Sequence, residues 1–183
     1  MKIIVGITGA SGSIYGLRLI EELARQGHQL HLVLTDSGRK VFEYETGTST
    51  KSLASFGTVY DNNNVGAAIA SGSFLVDKMV VVPCSMKTVA AIAHSITDNL
   101  LVRAADVTLK EGRELLLVPR ETPMHKGHLQ NLLTAAELGA VIVPAMPAFY
   151  HRPKNLTELV DHLVGKILDR LEIAHELYPR WQG

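Results

Sequence analysis

Residues 1–16 read MKIIVGITGASGSIYG, and the fold follows from how an apolar run gives way to a glycine-rich turn and the turn to a helix. Lys2–Ile7 is short, rich in β-branched residues and apolar at both alternating sets of positions. That is the pattern of a strand buried on both faces of a parallel sheet, which requires helices on both sides. Gly6, Gly9 and Gly12, with Thr8 and Ser11 between them, lead into Ile14, Leu17, Ile20 and Leu23 at three-residue steps, which predicts a helix with an apolar stripe. The loop therefore ends at a helix N-terminus. Free N–H groups, the positive end of the helix dipole and two hydroxyls meet there, and the glycines leave the backbone open to close approach. The arrangement suits a phosphate. A tight strand-to-helix turn with no ligand has the same pattern, because G-x-x-G-x-x-G is neither the dinucleotide fingerprint nor a P-loop.

A chain of 183 residues fits one domain, 1–183, and 46% hydrophobic residues with 5% aromatic predict an aliphatic α/β core, in keeping with a parallel sheet that has helices on both faces. Lysine plus arginine and aspartate plus glutamate number 18 each, so no global field draws in nucleic acid or anionic lipid. The N-terminus runs into a strand without a signal-like segment, and no apolar run is long enough to span a bilayer. Cys84, the one cysteine, has no internal disulfide partner. A soluble cytoplasmic protein without nucleic-acid or membrane partners is the expectation.

Further along, Gly27 closes the first helix and Leu30–Thr35 reads as a second strand joined by a right-handed crossover. A helix is predicted over Ser37–Tyr44, ending near Thr46-Gly47. Thr35 and Asp36 stand at the strand tip, where an acid either binds a ribose or caps a helix, and capping is the preferred reading. From Thr48 to Ser73 the small and polar residues predict loops around short elements, with a short helix near Val65–Ile69. Lys78–Val82 is a strand that stops at PCSMKT, 83–88, and opens an alanine-rich helix. This second junction and the Gly9–Gly12 turn can face one crevice at the carboxyl ends of the strands, with Ser85, Lys87 and Thr88 as donors.

Asp98–Arg113 predicts a helix that displays Arg103, Lys110 and Arg113 off its apolar positions. Glu114–Val118 is the next strand, ended by Pro119-Arg120-Glu121-Thr122-Pro123, whose prolines aim an adjacent cation and acid. A helix over His125–Leu138 and a strand over Ala140–Val143 precede the stiff loop Pro144–Tyr150. His125 and His128 are three apart, but no acid or cysteine completes a ligand set, so no metal is assigned. Asn155 or Thr157 starts a last helix with a broad apolar stripe that includes Leu156, and Lys166 lies off it. The tail from Leu177 to Gly183 carries Trp181, the sole tryptophan, and is expected to fold over a site or a neighbour.

GITGASG at 6–12, PCSMKT at 83–88, DNLLVRAADVTLKE at 98–111, PRETP at 119–123, PAFYHRP at 147–153 and PRW at 179–181 together resemble the flavin prenyltransferases of the UbiX type, within the flavin-dependent cysteine decarboxylase-like fold. The resemblance spans nearly the whole chain and is least diagnostic from Thr48 to Ser73. It implies a Rossmann-like subunit of a homododecamer that binds FMN between subunits. The implied reaction attaches a dimethylallyl group from dimethylallyl phosphate to N5 and C6 of reduced FMN. The product, prenylated FMN, would serve a UbiD-type decarboxylase in ubiquinone biosynthesis or aromatic acid decarboxylation.

By the same resemblance Gly9, Ala10, Ser11, Thr35, Ser85, Met86, Lys87, Thr88 and Arg120 hold FMN. Relatives usually have serine at the position of Thr35. Tyr150 and Lys166 bind the prenyl phosphate, with Arg103 and Lys110 joining from a neighbouring subunit. Lysine at 166, where some relatives have arginine, exchanges a bidentate contact for a point charge. Glu121 is the candidate general acid or base, assisted by Glu45 and Ser11. No D-D-x-x-D cluster for magnesium is present, so metal-independent transfer from a monophosphate is expected. Two other readings stand beside this one: a flavin-dependent decarboxylase of the cysteine decarboxylase type, and a flavin-carrying subunit of a decarboxylase complex.

Overall fold

The computed structural model describes residues 1–181. Its strands are β1 (Lys2–Ile7), β2 (Gln29–Leu34), β3 (Gly57–Tyr60), β4 (Lys78–Cys84), β5 (Glu114–Pro119) and β6 (Val141–Ile142). The helices are α1 (Ser13–Arg25), α2 (Asp36–Thr46), α3 (Met86–Ala93), α4 (Leu100–Lys110), α5 (Lys126–Glu137) and α6 (Leu156–Arg170). All strand pairs are parallel, in the order β3-β2-β1-β4-β5-β6. The chain runs outward from β1 in one direction and from β4 in the other, so the topology reverses between β1 and β4, where a doubly wound sheet binds its ligands.

Each inner strand feeds both faces, as its two-sided apolar pattern predicts. Ile3, Val5 and Ile7 of β1, with Val80 and Val82 of β4, pack beneath α1 and α6. Ile4, Met79, Val81, Leu115 and Leu117 pack beneath α3 and α4 on the other face. Among the described residues no helix is long and apolar enough to cross a membrane.

Four expectations need correcting. In α1 the inward face is Ser13, Gly16, Leu19, Ile20 and Leu23, while Ile14 is 38% exposed. Three-residue steps lag the 3.6-residue period, so a stripe drawn that way rotates off the buried face. The weak region from Thr48 to Ser73 contains a true strand, β3, together with 3₁₀ turns at Thr50–Ser55 and Ala68–Ala70. A four-residue strand takes its identity from its pairing with β2 rather than from its own pattern. The last strand shrinks to Val141–Ile142, although the extended chain continues to bond β5 through Val143 N to Leu117 O at 2.8 Å and Ala145 N to Pro119 O at 3.0 Å. Leu156, counted in the α6 stripe, is 65% exposed.

Gly16 allows α1 to close on the sheet. A Cβ there would stand 2.6 Å from the carbonyl oxygen of Val82, a backbone atom that cannot swing away. Gly16→Ala is expected to cost about 1–3 kcal/mol by overpacking, and thermal unfolding should register about 2–4 °C per kcal/mol for a domain of this size. An unchanged Tm would mean that α1 stands further from β4 than described.

Candidate functional site

The switch point is stitched by Thr8, which is 1% exposed. Its hydroxyl donates to Pro83 O at 2.8 Å and accepts from Ser85 N at 2.7 Å. The ends of β1 and β4 are thereby held together, and three helices begin around them. Thr35 caps α2, its hydroxyl accepting from Gly38 N at 3.0 Å. Ser85 caps α3 through Thr88 N at 3.4 Å, and Asn99 caps α4 through Val102 N at 3.1 Å. Thr35, Ser37, Ser85, Lys87, Thr88 and Asn99 line one small polar cleft. Helix N-termini, hydroxyls and a lysine make this the part of the chain best suited to a phosphate group. Met86 follows the cap, but it is 5% exposed and belongs to the core.

Thr35, not Asp36, is therefore the helix cap, and Asp36 lies exposed in the first turn of α2. Gly9 lets the first turn lie against the second: a Cβ there would sit 2.7 Å from the Ser37 side chain. Ala10 is buried beside it, whereas Ser11 is exposed.

The N-terminus of α1, where the sequence suggests an anion, holds the chain's own carboxylate. Glu45, near the C-terminus of α2, accepts from Gly12 N at 2.9 Å and Ser13 N at 2.8 Å. Burial works to raise its pKa, but hydrogen bonds from Ser11, Ser13 and Gly12 outweigh burial and hold it below the usual carboxylate range. Beside it, Arg120 donates from Nε to the carbonyl of Ser11 at 3.2 Å. Ser11, Gly12, Tyr15, Glu45, Arg120 and Ala145 line a second hollow. Arg120 also borders a third, with Glu121, Met124 and the proline loop Pro144–Pro147. Glu121 accepts from Thr122 N at 3.0 Å and, among the described residues, makes no ion pair with Arg120.

Tyr150 and Lys166 lie around α6. The Tyr150 hydroxyl is 2.7 Å from Nε2 of His162, one turn before Lys166, and Lys166 is half exposed with Asp169 at 3.8 Å. Arg103 pairs with Asp106 at 3.1 Å, and Lys110 pairs with Glu111 at the C-terminal end of α4. That end leads into the start of β5, the opposite edge of the sheet from the capped turns, so Lys110 and this chain's own cleft are not brought together. His125 and His128 stack, with centroids 3.7 Å apart, and among the described residues no group of three or more His, Cys, Asp or Glu is placed to hold a metal.

The tail returns over α6. Asp169 accepts from Tyr178 Oη at 2.6 Å, from Arg180 at 2.7 and 2.5 Å, and lies 3.0 Å from His175 Nε2. This latch sets Trp181 edge-on to Tyr150, with ring centroids 5.9 Å apart; Gln182 and Gly183, the end of the predicted tail, lie outside the described residues. Burial pushes the Asp169 carboxyl up, but the bonds from Arg180, Tyr178 and His175 prevail and hold it far below its ordinary value. Because the folded pKa is depressed, the latch's contribution is full above the unfolded aspartate range and is lost only as pH falls through the folded pKa. Trp181 fluorescence anisotropy is therefore expected to stay flat from neutral to mildly acid pH, and Asp169→Asn should lower it at neutral pH. Parent-like anisotropy in that variant would rule out the latch.

Ser37, Asn99 and His162 belong to the site's construction without being marked by sequence pattern, and Thr8, read from sequence as a loop hydroxyl facing an anion, instead commits that hydroxyl to Pro83 and Ser85. Asn99 had a readable signal, an Asn directly before a helical run. Thr8 and His162 act through partners 75 and 12 residues away, which no local pattern encodes.

Comparison with known proteins places this geometry. The Flavoprotein family matches residues 1–177. The flavin prenyltransferase UbiX of Thauera aromatica is 50% identical over 100% of this chain and 95% of its own, and LpdB of Lactiplantibacillus plantarum is 52% identical over 100% and 98%. Among solved structures, the dodecameric FMN-dependent UbiX-like decarboxylase of Escherichia coli O157:H7 has a TM-score of 0.97 at 43% identity, with 100% of both chains covered. AnUbiX (PadA1), in complex with FMN and dimethylallyl pyrophosphate, has a TM-score of 0.97 at 40% identity over 100% of this chain and 97% of its own. With its capped turns gathered at the sheet's switch point and its likeness to these relatives running end to end, the chain belongs to the UbiX-type flavin prenyltransferases of the Flavoprotein family.

Proposed function

We propose that this chain transfers a dimethylallyl group from dimethylallyl phosphate to N5 and C6 of reduced FMN, releasing prenylated FMN for a UbiD-type decarboxylase. The observation that carries the reading is the convergence of three capped helix N-termini with Lys87, together with two hollows that share Arg120, one lined by Glu45 and the other by Glu121. Thr35, Ser37, Ser85, Thr88 and Asn99 would hold the FMN phosphate, with Gly9, Ala10 and Ser11 on the adjoining turn and Arg120 bonded to the Ser11 carbonyl. Reduced flavin supplies the electron-rich N5 and C6 centres to which carbon is joined.

The remaining residues serve the allylic donor. A departing phosphate needs cationic and phenolic donors, and the positive allyl fragment must be kept from water. Tyr150 and Lys166 supply the donors from this chain, and Arg103 and Lys110 would do so from another copy in a homododecamer. Glu121 holds or moves the proton exchanged at ring closure, with Glu45 and Ser11 beside it. Residues 1–183 would act as one flavoprotein domain in the cytoplasm.

A decarboxylase reading is favoured by the names of two relatives, the Escherichia coli protein above and a phenylacrylic acid decarboxylase from Aquifex aeolicus at 38% identity. Anaerobic incubation of purified protein with reduced FMN and dimethylallyl monophosphate tests between the readings. Formation of prenylated FMN, unchanged in EDTA, is expected. Decarboxylation of phenylacrylic acid without any prenyl donor would favour the alternative, and dependence on added metal would overturn the metal-independent step.

A further inference from the structure

Tyr150 stands on the loop before α6, and the side chain of His162 meets its hydroxyl. That hydroxyl lies 2.7 Å from Nε2 of His162. The His162 ring is 4% exposed, stacked on His151 at 4.5 Å with planes 7° apart and touching Tyr178 at 4.7 Å. Its other nitrogen, Nδ1, is buried with no hydrogen-bond partner among the described residues.

A neutral imidazole is a donor at one nitrogen and an acceptor at the other. A proton on Nδ1 would orphan a buried N–H donor, and Nε2 would then consume the tyrosine's own proton. A proton on Nε2 leaves only an unpaired acceptor, the cheaper and commoner defect. Double protonation is opposed by burial first, then by His151 and Lys166, with Asp169 alone favouring it. Asp169 is already engaged by Arg180, Tyr178 and His175.

We infer that His162 is a positioning residue: a neutral imidazole that donates from Nε2 to the Tyr150 oxygen and so commits the tyrosine's O–H to donate outward to the prenyl phosphate. This rests on the reading of Tyr150 as a phosphate contact. The imidazole fixes the phenol's direction and polarises it, since hydrogen bonds in a chain strengthen one another. The flat stack on His151 fixes the imidazole's plane.

The test measures dimethylallyl monophosphate binding by calorimetry to the protein loaded with oxidised FMN, where no transfer occurs. His162→Leu and Tyr150→Phe are each expected to weaken binding about tenfold or more, the range of a hydrogen bond to a charged group. The double variant should bind no more weakly than Tyr150→Phe alone, because one route is removed twice. His162→Gln, whose amide nitrogen reaches the place of Nε2, should recover affinity to within about threefold, and FMN titrations should be unchanged throughout.

Parent-like affinity in His162→Leu overturns the inference, and so does an equal loss from that substitution in the Tyr150→Phe background, which would mark a merely structural role. If the leucine variant does not fold, Gln against Asn decides: asparagine reaches only the place of Nδ1, and equal affinity of the two overturns the inference. Parent protein that binds the monophosphate yet forms no prenylated FMN strikes the prenyl-transfer reading and leaves the His162–Tyr150 pair standing.

Discussion

Glu121→Gln is expected to cut prenylated-FMN formation at least about 100-fold, within the range of about 10²–10⁴ that a general acid or base supplies, while FMN affinity stays within a few-fold of the parent. The substitution keeps shape and removes only the ability to ionise. Its geometry separates Glu121 from flavin binding: the carboxylate accepts from Thr122 N in its own turn, and the Arg120 guanidinium is directed to the Ser11 carbonyl. Glu121 thus lines the hollow beside Met124 and the proline loop and, among the described residues, forms no ion pair. Were it only a partner of Arg120, the glutamine variant would lose FMN affinity or thermal stability and keep its rate at saturating flavin. Single-turnover spectra read beside FMN titrations distinguish these outcomes. A saturated variant within about tenfold of the parent would remove Glu121 from the chemistry on the same scale.

What the sequence reveals depends on how local the signal is. β1, β4 and β5 declare themselves because buried parallel strands are apolar on both faces, and the turn after each strand is marked by glycine, serine or proline. Thr35, Ser85, Lys87, Thr88 and Arg120 are legible for that reason, since each sits just past a strand end or in the first turn of the helix that follows it. β3 is not legible, because its four residues become a strand only beside β2. Asn62 is hidden in a run of three asparagines, yet it alone is buried there, accepting from Leu101 N at 3.0 Å through its side chain and from Leu100 N at 2.8 Å through its carbonyl. The phosphate reading of the first turn misses a tertiary fact. α2 returns to lay Glu45 on the α1 N-terminus, so the donors the glycine loop advertises serve a carboxylate.

That placement makes a second large effect expected, at Ser37. An aspartate introduced there puts a fixed anion among the capped ends of α2, α3 and α4, beside Thr35, whose hydroxyl lies 3.3 Å from the Ser37 hydroxyl. Two consequences of opposite sign follow. The protein itself should keep its stability or gain about 0.3–1 kcal/mol, because a negative charge near a helix N-terminus is favourable. FMN should bind about 30- to 150-fold more weakly, the loss corresponding to about 2–3 kcal/mol when a dianionic phosphate meets a like charge and forfeits charged hydrogen bonds. Riboflavin, which lacks the phosphate, should bind parent and variant alike, and Ser37→Ala should lower FMN affinity by less than the aspartate does. Equal weakening of FMN and riboflavin would place the damage in the isoalloxazine region. Unchanged FMN affinity in Ser37→Asp would mean that the phosphate lies elsewhere, and the first turn, with Glu45 displaced from the α1 N-terminus, would then be the next place to look.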